Sequence, residues 1–210
     1  MSNLIIVGAG RFGRFTRELA ASCNRNVIGF VDDTLEIDSL IDGSPILGSI
    51  QQIETLSILH CSEVAICISN MPKRKMLMKE CKEKNIVLNS LIHTTVIQST
   101  RTTIGKGVIM QPYTVLQTGA IVEDNVLVEE HCSIGVDVLI GSNTVLAPHV
   151  VLTGSVKVGS NCFIGANTVV NPEVNISEGS IIGSGSTVLN DTESNFIYAG
   201  SPAKKIRKIN

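Results

Sequence analysis

Four groups of residues in this sequence carry side chains or backbone that do chemistry. Gly8-Ala9-Gly10-Arg11-Phe12-Gly13 sets glycines at its first, third and sixth positions. That spacing lets backbone N–H groups approach a phosphate where a strand turns into a helix. Asp32 and Asp33 follow the second apolar run, the place where a carboxylate holds a ribose hydroxyl or an amino-sugar group. His131 and His149 lie 18 residues apart, with Val136-Asp137 between them; a neutral imidazole is the commonest general base near neutral pH. The six cysteines (23, 61, 67, 81, 132 and 162) form no Cys-x-x-Cys and no metal-ligand spacing. They read as reduced core thiols, with no metal site. His60 and His93 are assigned no chemistry.

What must position these groups changes character near residue 92. Before it, apolar runs at 4–7, 27–31, 64–69 and 86–91 alternate with helix-like stretches at about 12–23 and 72–84. Alternating strands and helices imply a parallel sheet, and the glycine fingerprint falls at its first strand-to-helix turn. After residue 92 a period of six takes over. Stepping by six from Ile104 through Met110, Leu116 and Val122 to Val188, every position is aliphatic. Four residues after each of these stands a small or β-branched residue, from Val108 and Thr114 to Cys162, Thr168 and Ser180. One large and one small inward residue per hexad is the signature of a parallel β-helix, three hexads to a coil. A β-sandwich would show hairpin turns and a period of two instead. Glycines following the aliphatic residue, at 105, 135, 141, 159, 165 and 183, are expected to turn the corners with positive φ.

The chain thus divides into 1–91, an α/β Rossmann-like domain, and 92–210, an all-β left-handed parallel β-helix with a C-terminal cap. Its 210 residues include 43% hydrophobic and only 3% aromatic residues, so the core is aliphatic. Seventeen Lys+Arg against 19 Asp+Glu leave a net charge of −2, which argues against a nucleic-acid surface. The N-terminus does not read as a signal peptide and no run is long enough to span a bilayer; a cytoplasmic location is expected.

The hexad pattern resembles that of the hexapeptide-repeat acyltransferases. GAGRFGR, FVDD at 30–33, SPILG at 44–48, AICISN at 65–70, LIH at 91–93 and AGSPAKKI at 199–206 further resemble, in order, landmarks of the sialic acid O-acetyltransferase and bacillosamine N-acetyltransferase-like sugar acyltransferases. The resemblance implies acetyl-CoA as donor, a nucleotide-sugar or sialic-acid-type acceptor, a homotrimer, and a role in surface polysaccharide biosynthesis. It places acceptor contacts at Gly10, Arg11, Phe12, Asp32, Asp33 and Ser69. Donor contacts fall at Val145, Ala147, Gly154, Ala166 and Ser184, with Pro148 nearby.

At the catalytic position the sequence departs from that family. Set in the same frame, Val136 and Val145 stand where the family has its general-base and donor-contacting histidines, and Asp137 keeps the place of the acid. Valine neither accepts nor relays a proton. His131 is the fourth residue of its hexad, whereas the family histidine is the third, so no shift of frame restores the motif. Acyl transfer then relies on positioning or on another base. The alternatives are a nucleotide-sugar or CoA-binding scaffold without activity, or a redox use of the N-terminal domain. His131 and His149, one coil apart at the same hexad position, should stack on one corner at about 4.8 Å and are the candidate catalytic pair. The tail's Lys204, Lys205, Arg207 and Lys208 either solvate a cap or attract the phosphates of CoA.

Overall fold

The structure, a computed structural model, describes residues 3–209. It divides into two compact units between Leu91 and Ile92. In the first, β1 (Asn3–Val7), α1 (Arg11–Ser22), β2 (Asn26–Val31), β3 (Leu40–Ile41), β4 (Ser44–Gly48), α2 (Ile53–Leu59), β5 (Ser62–Ile66) and α3 (Met71–Glu83) follow in order. The sheet runs β3-β4-β2-β1-β5, parallel except for the β3–β4 hairpin. Leu4, Ile6, Phe30 and Ile46 are fully buried, as continuous apolar strands of a covered parallel sheet should be. Leu77 and Cys81 of α3 pack with Ile5, Val7 and Val64.

Three expectations need correction here. The run at 64–69 forms β5, which starts earlier at Ser62 and ends at Ile66; Ser69 follows the strand, as expected, in the loop that leads to α3. The run at 86–91 contributes one parallel bridge, Val64 to Leu88, and no full strand within it. The β3–β4 hairpin and α2 were not foreseen, although Asp42-Gly43 is a strong hairpin signal. Both residues have positive φ, 48° and 80°, and join the paired Ile41 and Ser44.

In the second unit two-residue strands recur every six residues, and each pairs in parallel with the strand 18 residues on. Val115 meets Ser133, Ile121 meets Leu139 and Leu127 meets Val145. The result is a parallel β-helix with three faces of six, five and eight strands. The aliphatic ladder from Met110 to Val188 and the small residues beside it form one buried core. Coiling begins earlier than Ile104, with strands Leu91–Ile92 and Ile97–Gln98; Gln98 breaks the aliphatic rule and hid that coil. The tail is a hairpin. Phe196–Ala199 extends the eight-stranded face and Lys204–Lys208 returns antiparallel as its edge, where lysines discourage further pairing. Lys205 is tied down, 2.7 Å from Glu193 and 3.8 Å above the Phe196 ring.

The glycines at 105, 135, 141, 159, 165 and 183 do not have positive φ. The left-handed residue comes two places later in every hexad, at Gly107, Tyr113, Gly119, Asn125, His131, Asp137, Asn143, His149 and onward to Gly185. From Gly119 to Gly185 each donates its N–H to a carbonyl one coil down, as His149 does to Glu130 O at 3.0 Å and Asn143 to Asp124 O at 2.9 Å; Tyr113 donates instead to Thr95 Oγ1 at 2.9 Å. The glycines serve coil stacking: a Cβ on Gly165 would lie 2.5 Å from Ser184 N, and one on Gly141 2.6 Å from Ser160 N. Among the cysteines, Cys67, Cys81, Cys132 and Cys162 are buried, but Cys61 is exposed and Cys23 half-buried, so the core reading fails for those two. No helix among the described residues is long and apolar enough to cross a membrane.

Candidate functional site

The α/β unit reverses its strand order at β1, which has β2 on one side and β5 on the other. Ligands of open α/β sheets bind beyond the carboxyl ends of the strands at such a point. The glycine loop after β1 and the Cys67–Asn70 loop after β5 meet there, with Cys67 N donating to Val7 O at 2.8 Å.

The three fingerprint glycines have different reasons to be glycine. A Cβ on Gly13 would run into Gly8 O, and one on Gly8, whose φ is +96°, would press on Cys67 O at 2.9 Å. Those two are required by the fold. A Cβ on Gly10 would meet nothing within 4 Å, so the fold leaves the space above Gly10 open. Gly10 also caps α1 without any side chain, which leaves the helix N-terminal N–H groups available to an anion.

A groove of about 430 Å³ opens beside this loop, lined by Gly10, Arg11, Arg14, Leu40, Ile41 and Asp42 among others. Arg14 holds Asp42 in a two-pronged pair at 2.7 and 3.0 Å, joining α1 to the hairpin. Arg14 lies one turn after Arg11 on the same helical face, and the hairpin carries Asp42; the sequence shows both charges but not that they pair. Phe12 and Ser69 do not line this groove; Ser69 is exposed on the far side of β1.

Both acids bind the protein's own backbone. Asp32 accepts from Ala9 N at 2.9 Å with one oxygen and from Thr34 N and Oγ1 with the other. Burial raises its carboxyl, but these bonds and the Lys73 charge outweigh that and hold it below its ordinary value. Asp33 accepts from Ile50 N at 2.9 Å and pairs with Lys73 at 3.3 Å. They lock the loops of the crevice in place.

In the β-helix the candidate residues fall on two different corners. Val136 and Asp137 turn one corner with Gly154 a coil above; Val136 is 39% exposed, and the space at Gly154 is open, with only Val136 O near, at 3.8 Å. No hydrogen bond or ion pair engages the Asp137 carboxylate among the described residues. Ala147, Pro148, His149, Ala166 and Ser184 turn another corner, stacked on Glu129, Glu130 and His131. Six residues and one whole face separate the two in a single chain. Val145 is buried and offers little surface to a ligand. Tyr113, His131 and His149 form a column: ring centroids are 4.9 Å apart at both steps, with the two imidazoles within 2° of parallel. The expected stack is therefore present. Beside it burial pushes the Glu129 carboxyl up, helped by Glu130. Burial also lifts the Cys132 thiol to about 12, which makes it inert as a nucleophile.

A glycine-loop α/β unit joined to a parallel β-helix of six-residue repeats defines a two-module class of proteins. Residues 3–81 match the PglD N-terminal domain and residues 155–190 the bacterial transferase hexapeptide (six repeats). The first match spans most of the α/β unit and the second the later coils of the β-helix. No curated protein matches the sequence. Solved structures that share the fold over nearly its full length include the following three. A histidine-to-asparagine mutant of perosamine N-acetyltransferase from Caulobacter crescentus, with CoA and GDP-perosamine, is 23% identical with a TM-score of 0.94, covering 99% of this chain and 98% of that one. The acetyltransferase domain of PglB from Neisseria gonorrhoeae with acetyl coenzyme A is 25% identical, TM-score 0.91, over 97% and 98%. WeeI from Acinetobacter baumannii is 21% identical, TM-score 0.88, over 98% and 100%.

Proposed function

We propose that this protein transfers an acetyl group from acetyl-CoA to an amino or hydroxyl group of a nucleotide-activated or sialic-acid-type sugar, in the cytoplasm, during surface polysaccharide biosynthesis. The observation that carries this reading is the end-to-end match to sugar N-acetyltransferase folds, one holding acetyl coenzyme A and another CoA with GDP-perosamine. Residues 1–91 bind the acceptor and 92–210 the donor. Gly10 and Arg11 meet the acceptor's phosphates at the start of α1, beside the groove that Arg14 and Asp42 close. Phe12 and Ser69 flank the loops, and Asp32 and Asp33 keep them in place. The donor arm follows the small residues Ala147, Ala166 and Ser184 up one corner, with Val145 beneath and Gly154 on the facing corner.

A homotrimer completes the site. The face between the two corners shows Ile97, Val115, Ser133, Val151, Val169 and Thr187 at its outward strand positions, with no charge among them, and such flat apolar surface is covered in soluble proteins. A second copy also brings one chain's Asp137 corner to its neighbour's Ala147 corner. Holding nucleophile and thioester together supplies much of the rate.

Calorimetric titration with acetyl-CoA and with UDP- and GDP-sugars, followed by a free-thiol release assay, tests the reading. Binding of both ligands with release of thiol is the expected result. Binding without release would leave a nucleotide-sugar-binding scaffold, the reading that exposed Val136 favours. A stable monomer in light scattering at micromolar concentration would overturn the intersubunit site.

A further inference from the structure

The β-helix carries three histidines, His93, His131 and His149, and all three belong to the Tyr113 corner; the Val136 corner has none. Imidazole-assisted proton transfer on this unit can therefore occur only there. His93 is already engaged: its Nδ1 accepts from Thr95 N at 3.1 Å and meets Thr95 Oγ1 at 2.8 Å. His131 and His149 differ. Neither ring makes a hydrogen bond among the described residues, and both residues are exposed.

Their orientation is nonetheless fixed. Left-handed backbone at Tyr113, His131 and His149, with φ of 62°, 59° and 61°, turns three successive rings out of the coil alike. His131 is packed on both faces, 4.9 Å from each neighbour, so only its edge, which bears the nitrogens, faces solvent. Left-handed backbone is uncommon for a residue with a side chain. At the third corner the same positions hold Asn125, Asn143 and Asn161, whose amides bond one another at 2.8 and 3.0 Å. The histidines occupy the equivalent positions without any such ladder. The charged groups on their corner are Glu129 and Glu130, directly before His131; no lysine or arginine turns it between 111 and 185.

We infer that the stacked pair His131 and His149 is the proton acceptor for acyl transfer in this chain, one corner removed from Val136. This rests on the acyl-transfer reading above. The acceptor's amine or hydroxyl attacks the thioester carbonyl carbon, so a C–N or C–O bond forms and the C–S bond breaks. The nucleophile's proton passes to an imidazole nitrogen and from there to the leaving thiolate, which restores the neutral ring and releases CoA thiol. No further reactant is required.

The test uses H131N, H149N and the double variant in the full assembly, asparagine being the residue that Asn167 already supplies one rung above. kcat and KM for acetyl-CoA are read separately by thiol release, and folding by the thermal midpoint. The expected result is a fall in kcat of about 100-fold in the double variant, with KM and midpoint little changed. A double variant that keeps kcat within about threefold of the parent overturns the inference while leaving acyl transfer standing. Should asparagine lower the midpoint, glutamine at the same two positions repeats the measurement. A second arm follows the histidine ring signals of the parent protein by NMR as acetyl-CoA is added. Shifts at His131 and His149 but not His60 support the placement, and their absence counts against it. A parent protein that releases no thiol with any sugar fails the acyl-transfer reading itself, which the NMR arm does not depend on.

Discussion

The two units use glycine and left-handed backbone in opposite ways. In the α/β unit each special position occurs once. Gly8 and Gly13 let a loop and a helix pass within contact distance, and Asp42-Gly43 turns a single hairpin. In the β-helix the left-handed position recurs in every hexad, yet asparagine, histidine, aspartate, serine, glutamate and tyrosine fill most of them. The strain is tolerable there because each such residue from Asn125 on donates its N–H to a carbonyl of the coil below, and Tyr113 donates to Thr95 Oγ1. Glycine is kept instead for the place where one coil's Cα faces the next coil's backbone. A repeat spreads a conformational demand over many equal, individually replaceable positions, whereas the single-use turns of the α/β unit cannot share it.

The sharpest way to break this contrast is at Gly13. Gly13→Val drives a branched side chain into Gly8 O, and the expected outcome is loss of the folded α/β unit, seen as a missing helical signal in circular dichroism while the β-helix still melts cooperatively. In the β-helix, Leu146→Ala empties a fully buried ladder position and should cost about 2–5 kcal/mol, measured by denaturant unfolding. Gly165→Ala, against Ser184 N, should cost about 1–3 kcal/mol, and Asn167→Gly at the neighbouring left-handed position should be close to neutral. Gly10→Ala should leave stability within about 0.5 kcal/mol but weaken nucleotide-sugar binding at least tenfold in calorimetry. Equal loss of stability at Gly10 and Gly13 would erase the distinction between the fold's glycines and the ligand's.

The thiols compare the units under one variable. Burial lifts Cys67 and Cys132 to about 12 and Cys81 and Cys162 to about 11, against an ordinary value of 9.0. The folded chain keeps protons that the unfolded chain releases, so this stability is full below pH 9.0 and is lost as pH rises from there toward about 12. Denaturant midpoints should fall steadily across that window. At neutral pH Cys61 alone should react quickly with a thiol reagent, and rapid reaction of Cys132 or Cys162 in the folded protein would contradict their burial.

The β-helix was legible almost entirely from residues, because its core is a periodic function of position. Once Ile104 to Val188 fixes the frame, the neighbours of each residue are those 18 away, and the His131–His149 stack follows from subtraction. The first coil escaped because Gln98 interrupts the ladder, and the corner glycines were misread because their constraint comes from the coil above rather than from their own dihedrals. The α/β unit showed its alternation of strands and helices and its phosphate-type loop. It did not show that Asp32 and Asp33 turn back onto Ala9 and Ile50, or that Arg14 reaches Asp42.

Sequence by itself therefore determined which residues face inward, where the units divide and which corner holds the imidazoles. Only the tertiary structure decided which of the polar groups remain available to a ligand. Hydrogen bonds between residues far apart in the chain depend on where loops fold, and no local period records that.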